Sequence, residues 1–154
     1  GSDFTIANEV NSSSDGTSIQ VRDGDYLPNI PKHSFKVRAT YDILPQWYVG
    51  TSVTAFSKAY MMGNENQQHD PSDEGIQGEL PGYAIVNVDS EYKFFDNWNL
   101  YLKAINIFDK EYYTGGRLAE TRVQADRTFG DEREVASLLP GSPRAAWLGL
   151  RYEF

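Results

Sequence analysis

Four arginines in one polar stretch of the chain are the residues with the most evident chemistry. Arg117, Arg122, Arg127 and Arg133 all fall within residues 115–143. Arginine binds a carboxylate or phosphate through two parallel hydrogen bonds, so this group could capture an anionic ligand. Five acidic residues are interleaved with the arginines: Glu120, Asp126, Asp131, Glu132 and Glu134. Pairing within the stretch is therefore the simpler interpretation, and anion capture is the alternative.

Other groups used in catalysis and metal binding are sparse. There is no cysteine, and His33 and His69 are the only histidines. His33 immediately precedes a predicted strand and is interpreted as structural. His69 lies near several acids, which are Glu65, Asp70, Asp73 and Glu74. Nothing fixes the spacing of the six or so oxygens that a hard cation needs, so we predict no metal site and no cofactor.

No pair of acids converges in a way that suits acid–base catalysis. Asp131 and Glu132 are adjacent, and adjacent positions on a strand point to opposite faces. We therefore predict that the chain is not an enzyme. The acids of residues 62–80 are interpreted as a solvated loop; they are Glu65, Asp70, Asp73, Glu74 and Glu79.

Composition and charge exclude several further classes of protein. The net charge of -8 argues against non-specific binding to nucleic acid, which needs a basic surface. No apolar run reaches the ~18 residues of a transmembrane helix, and no basic, apolar leader opens the chain. Gly1-Ser2 resembles the remnant of a cleaved purification tag, and we expect residues 3–154 to form the folded segment.

The elements that must position these residues are β-strands. Ala146, Leu148, Leu150, Tyr152 and Phe154 alternate with a mixed, partly charged set, and a period of two predicts a strand. The same alternation predicts strands at 34–43, 47–60, 83–94 and 98–108, with a bulge near 105–108. Residues 4–10 and 18–21 are weaker candidates. The fold class is all-β: an antiparallel up-and-down meander of about six strands.

The apolar faces of these strands have the pattern of a membrane-barrel wall. The residues predicted to face lipid are Phe35, Val37, Ala39, Tyr41, Val86, Val88, Tyr92, Leu100, Leu102, Leu148, Leu150 and Tyr152. Connections alternate between long segments (11–33, 62–82 and 115–143) and short turns (44–46 and 95–97). Transmembrane barrels segregate loop length in this way. Residues 115–143 are interpreted as a long polar segment that leads into the last strand.

Four short segments, in order, resemble the TonB-dependent outer-membrane receptors. They are Leu27-Pro-Asn-Ile-Pro-Lys-His33, Leu80-Pro-Gly-Tyr83, Asn106-Ile-Phe-Asp-Lys-Glu-Tyr-Tyr113 and Pro140-Gly-Ser-Pro-Arg144. The resemblance implies the C-terminal part of a transmembrane β-barrel of about 22 strands. It also implies three extracellular loops, a plug domain absent from this chain, and a location in the bacterial outer membrane.

The resemblance further implies import of a scarce nutrient, most often a ferric siderophore or other iron chelate. The implied partners are this small-molecule ligand, outer-membrane lipid and an energy-coupling inner-membrane complex reached through an absent N-terminal region. Because many iron chelates are anionic, the four arginines are the candidate ligand-binding residues. Leu150, Tyr152 and Phe154 would form the aromatic C-terminal signal for membrane assembly. A passive porin-type channel and a soluble all-β binding module remain the alternatives.

Overall fold

The computed structural model describes residues 3–70, 78–123 and 128–154, and every regular element in these ranges is a β-strand. No helix in the described ranges has the length and hydropathy that crossing a membrane requires. The chain divides into two compact units. We call His33–Phe56, Tyr83–Tyr112 and Gly141–Phe154 the wall unit, and Gly1–Lys32, Ser57–Gly82 and Tyr113–Pro140 the loop unit.

The wall unit is one five-stranded antiparallel sheet. Its strands are β3 (Ser34–Leu44), β4 (Trp47–Phe56), β7 (Tyr83–Phe94), β8 (Trp98–Ile105) and β11 (Ala145–Tyr152). Their order in the sheet is β11-β8-β7-β4-β3, so each strand pairs with the next wall strand along the chain. The predicted all-β antiparallel meander is thereby confirmed for these five strands.

One face of this sheet is apolar and uncovered by other described residues. The register aligns Val37, Val53 and Val86 in one row and Leu150, Leu100 and Tyr92 in another. All twelve residues predicted to face lipid fall on this side. Tyr41 is 73% exposed and Leu148 is 70% exposed. A soluble sandwich would bury such a face against a second sheet, which the described chain does not supply.

The opposite face carries polar side chains that interact across strands. Arg38 on β3 reaches over β4 to Asp89 on β7, with nitrogen–oxygen distances of 2.8 and 2.7 Å. Gly50 lies beneath the pair, and a Cβ at that position would collide with both partners. On β8, the Tyr101 ring covers Gly149 of the neighbouring strand, again where a Cβ would overlap it. Glycine therefore creates the space for these two cross-strand contacts.

The described residues of the loop unit form three two-stranded antiparallel pairs. They are β1 (Phe4–Ala7) with β2 (Ser18–Val21), β5 (Ala59–Tyr60) with β6 (Glu79–Leu80), and β9 (Tyr113–Val123) with β10 (Phe129–Pro140). In the β1–β2 connection, Asp15 accepts hydrogen bonds from the backbone N–H groups of Ser18 and Thr17, which lower the pKa of its carboxyl. The two weak strand candidates of the N-terminal region are thus confirmed as a hairpin, with β1 ending at Ala7.

Amide side chains form much of the loop-unit interior. Asn11 is only 2% exposed and donates to Gly63 O at 2.8 Å and to Asn66 Oδ1 at 3.1 Å. Asn64 is buried to the same degree, and Glu65 is buried beside it. The interpretation of the 62–80 acids as solvated is therefore wrong for Glu65, whose Oε1 accepts from the backbone N–H of Gly63 at 2.8 Å. The buried amides around it offset the cost of burial through their hydrogen bonds.

Two predicted strands and the predicted bulge differ in the structure. The predicted 47–60 strand splits at Ser57–Lys58, since Phe56 is the last residue paired in the wall sheet and Ala59 pairs with Leu80 instead. The 98–108 strand ends at Ile105. The predicted bulge is a turn, in which Asn106 (φ 47°) and Asp109 (φ 52°) adopt left-handed conformations.

Residues 115–143, interpreted from the sequence only as a long polar connection, form regular structure. They contain most of the β9–β10 hairpin, with Leu118 opposite Ala136 and Ala119 opposite Val135. Glycines and interleaved charges obscure the alternation there, and Leu118 is the only hydrophobic side chain of the hairpin's described residues buried in the core. Backbone pairing between two polar strands leaves little signal in the sequence.

Residues 1–154 produced alone in detergent-free buffer are expected to self-associate. In the described sheet, β3 and β11 are edge strands with unpaired backbone groups, and the apolar face has no covering layer. Light scattering measures the outcome. A stable, dilute monomer that keeps this face in water would contradict the prediction.

Candidate functional site

The four predicted ligand-binding arginines are not gathered at one point. Arg117 is exposed on β9, and Arg122 alternates to the opposite face of the same strand. The backbone of Arg133 pairs with Thr121, four residues along β9 from Arg117, or roughly 13 Å. Its side chain and all of Arg127 lie outside the described residues. The described hairpin therefore presents separate arginines on two faces.

The two histidines have different surroundings. His69 is buried, and its Nδ1 accepts a hydrogen bond from the backbone N–H of Ser12 at 3.2 Å. Its own backbone N–H donates to Asn64 Oδ1 at 3.0 Å. His33 is exposed just before β3. Within the described ranges no three His, Asp or Glu side chains are grouped as metal ligands; Asp73 and Glu74 lie outside those ranges.

A cluster of two tyrosines and two lysines in the loop unit was not predicted. The Tyr26 and Tyr60 rings are stacked, with centroids 6.2 Å apart and an interplanar angle of 8°. Lys32 Nζ donates to the Tyr26 hydroxyl at 2.6 Å and lies 4.9 Å from the ring centroid. Lys58 Nζ lies 5.7 Å from the Tyr60 centroid. We call these four residues the tyrosine–lysine cluster.

Asn29 assembles this cluster by connecting three parts of the loop unit. It adopts a left-handed conformation (φ 60°) between Pro28 and Pro31, which asparagine tolerates well. Its backbone N–H donates to Tyr60 O at 2.7 Å, and its side-chain oxygen accepts from Gly116 N at 2.9 Å. The cluster depends on contacts between distant segments, so no local sequence pattern reveals it.

The lysines of the cluster differ in their electrostatic surroundings. Lys58 Nζ lies 2.9 Å from both carboxylate oxygens of Glu79, and this hydrogen bond and the attraction to the carboxylate raise the pKa of Lys58. The hydrogen bond to Tyr26 raises the pKa of Lys32. No carboxylate of the described residues forms an ion pair with Lys32. The cluster thus presents aromatic surface beside an unneutralised ammonium group.

In the wall unit, Asn106 holds two of the family-like segments together. Its side-chain nitrogen donates to the carbonyl oxygens of Lys110 (2.9 Å) and Ser142 (3.0 Å), and its side-chain oxygen accepts from Lys110 N at 2.9 Å. Asn106 is 1% exposed. Asp109 adds a contact by accepting from Arg144 N at 3.0 Å. The segments 106–113 and 140–144 therefore form one interlocked junction.

The C-terminal residues extend a line of aromatic rings on the apolar face. Tyr152 lies 4.9 Å from Trp98 and 5.1 Å from Phe154, centroid to centroid. Glu153 and Asn97 exchange two hydrogen bonds, which hold the end of the chain beside the short 95–97 turn. Leu150, from the predicted assembly signal, lies on the same face opposite Leu100.

A hollow of about 400 Å³ also lies on the apolar face. Its lining is largely apolar and consists of Trp47, Ser90, Tyr92, Leu100, Leu102 and Leu148. It contains no charged group to recognise an anion. The hollow is therefore a feature of the apolar surface, and the tyrosine–lysine cluster is the better candidate for ligand contact.

A sequentially paired antiparallel sheet with one bare apolar face, short turns and long structured loops is typical of a membrane β-barrel wall. The family model described as "TonB dependent receptor-like, beta-barrel" matches residues 1–107. The chain belongs to this family. The resemblance inferred from four short segments is thereby confirmed, as is the prediction that the chain is not an enzyme, since its relatives are receptors.

Two curated relatives illustrate the similarity. The metal-pseudopaline receptor CntO of Pseudomonas aeruginosa is 32% identical over 90 residues, which cover 58% of this chain and 12% of CntO. The probable TonB-dependent siderophore receptor PiuA of Acinetobacter baumannii is 26% identical over 110 residues, covering 71% of this chain and 13% of PiuA. The match thus spans about one eighth of the length of these relatives.

Solved structures show the same fold. The crystal structure of PiuA aligns with a TM-score of 0.63 at 21% identity, covering 92% of this chain and 16% of that one. The closed form of the ferric-catecholate import receptor Fiu from E. coli K12 aligns with a TM-score of 0.59 at 18% identity. The alignment covers 99% of this chain and 24% of the Fiu chain. At these identities the likeness establishes the barrel fold alone.

Proposed function

We propose that this chain is the C-terminal part of the barrel of an outer-membrane receptor that imports a ferric siderophore or another iron chelate. The family assignment carries this proposal, because residues 1–107 match the model of the TonB-dependent receptor barrel. The names of the relatives support the ligand class: PiuA is a probable siderophore receptor, and CntO is a metal-pseudopaline receptor. Energy coupling to the inner membrane would act through parts of the receptor outside this chain.

In this proposal the apolar face of the wall unit contacts outer-membrane lipid. Exposed apolar side chains such as Phe35, Tyr41 and Leu148 are stable against hydrocarbon and costly in water. Trp98, Tyr152 and Phe154 cluster beside the short 95–97 turn, and aromatic rings favour the membrane–water interface. The short turns would then be periplasmic, and Leu150, Tyr152 and Phe154 would present the signal for membrane assembly.

The loop unit would lie outside the cell and contribute to ligand capture. Its interior is held by buried amides and short strand pairs, so its surface residues have defined positions. The predicted arginines (Arg117, Arg122, Arg127 and Arg133) remain candidate ligand contacts within residues 115–143. They would act as separate contacts, because those described occupy different positions and faces.

Uptake measurements in cells test the proposal. Deleting the gene for the full-length receptor is expected to abolish uptake of a cognate ferric siderophore labelled with radioactive iron, and complementation should restore it. A protonophore should stop uptake while surface binding persists, because import depends on the energised inner membrane. Uptake that resists the protonophore and extends to unrelated small solutes would instead identify a passive channel.

A further inference from the structure

The tyrosine–lysine cluster combines aromatic surface and positive charge in a defined geometry. Tyr26 is 40% exposed, and its ring is parallel to that of Tyr60 to within 8°. Lys32 is an exposed residue, and its Nζ donates a hydrogen bond to the Tyr26 hydroxyl at 2.6 Å. Such an arrangement offers a ring for stacking and an ammonium group for an anion at the same place.

The charge balance of the cluster favours an anionic partner. Glu79 compensates the charge of Lys58 through the 2.9 Å contacts, so Lys58 contributes mainly to the framework. Lys32 has no such compensation among the described residues, and its hydrogen bond to Tyr26 favours the protonated form. The surplus charge is therefore positive and lies next to the exposed Tyr26 ring.

We propose that the tyrosine–lysine cluster binds an anionic iron chelate with aromatic, catecholate-type iron ligands. A ferric tris-catecholate carries net negative charge on flat aromatic rings, so it matches both properties of the cluster. A neutral trihydroxamate chelate matches neither. This inference rests on the proposed function and assigns the ligand class and Tyr26 and Lys32 as its main contacts.

The scaffold beneath the cluster places one predicted arginine in the same part of the loop unit. Asn29 bonds to the backbone of both Tyr60 and Gly116, and Arg117 directly follows Gly116. The backbone of Met62 is also bonded to Gly116 and Leu118, on either side of Arg117. The β9 strand is therefore tied to the segment that carries Lys58 and Tyr60, and Arg117 can supply a second cation to a ligand that spans both.

Binding to the purified full-length receptor in detergent tests the assignment. Isothermal titration calorimetry would use the ferric complex of 2,3-dihydroxybenzoate, with a neutral ferric trihydroxamate as the second probe. Lys32→Gln and Tyr26→Ala are each expected to weaken binding of the catecholate complex roughly tenfold, since each removes a charge-assisted or aromatic contact. Tyr26→Phe keeps the ring and should lose less than Tyr26→Ala.

Arg22→Gln and Phe4→Ala are matched controls, because they remove an exposed cation and an exposed aromatic ring of the same unit outside the cluster. Both should bind like wild type. Heat-modifiable migration on gels verifies that each variant barrel is folded, and Lys32→Gln changes an exposed side chain that the fold does not require.

The outcomes separate this inference from the proposed function. The inference is supported if only the cluster variants lose binding affinity, and only for the catecholate complex. Unchanged catecholate binding in folded Lys32→Gln and Tyr26→Ala, or tighter binding of the trihydroxamate by wild type, overturns the inference and leaves an iron-chelate receptor. A receptor that neither binds nor imports any ferric chelate overturns the proposed function as well.

Discussion

Replacing Leu150 with arginine in the full-length receptor is expected to impair assembly into the outer membrane. Leu150 lies on the apolar face, is 54% exposed in this chain and pairs with Leu100. A charged side chain on the lipid face costs about 2–4 kcal/mol at the middle of the bilayer and less towards an interface. The amount of heat-modifiable receptor in outer-membrane fractions measures the effect.

The adjacent residue gives the control. Arg151 projects from the opposite face, where its guanidinium lies 5.9 Å from the centre of the Tyr101 ring. Arg151→Ala loses this exposed cation–π contact, worth roughly 0.5–1 kcal/mol, and should assemble at close to the wild-type level. Equal defects in Leu150→Arg and Arg151→Ala would contradict the assignment of the two faces.

Asn106→Ala is expected to destabilise the barrel by about 3–5 kcal/mol, the largest effect of any wall substitution considered. The change removes three side-chain hydrogen bonds of the buried Asn106 and leaves the backbone groups of Lys110 and Ser142 without these partners. It also forces alanine into a left-handed conformation (φ 47°), which costs about 1–2 kcal/mol. Loss of heat-modifiable migration at lower urea concentration would report the change in the full-length receptor.

Two further variants separate the contribution of the hydrogen bonds from that of the backbone strain. Asn106→Gly removes the same bonds without the backbone strain, so it should be milder than Asn106→Ala. Asn97→Ala removes one exposed hydrogen bond to Glu153 and should cost no more than about 1 kcal/mol. If Asn106→Ala were as mild as Asn97→Ala, the junction between residues 106–113 and 140–144 would not be a major source of stability.

The strands of the barrel wall were predictable because their pattern of apolar and polar faces is set by residues close together in the sequence. A strand with one lipid-type face must alternate with period two, and β3, β7 and β11 show that alternation in the sequence alone. Short turns such as residues 45–46 leave antiparallel pairing with the next strand as the simplest connection. The face, the pairing order and the family were therefore all accessible before the structure.

Tertiary contacts decided the Asn106 turn of the wall unit and the structure of the loop unit, where alternation carries little information. Asn106 could not be recognised as the centre of a turn, because its partners Lys110 and Ser142 lie 4 and 36 positions away. The β9–β10 hairpin depends on backbone pairing between polar strands, and the acids expected in solvent include the buried Glu65. These features require knowledge of which distant segments meet.

The candidate ligand contacts also divide into those predicted from the sequence and those found only in the tertiary structure. The sequence by itself determined that cations lie in a long loop, which led to Arg117, Arg122, Arg127 and Arg133. Only the tertiary structure brings Tyr26 and Lys32 together with Tyr60, through the Asn29 hydrogen bond. Periodic burial is encoded by neighbouring residues, whereas a binding surface is built from side chains far apart in the chain, and its geometry exists only after folding.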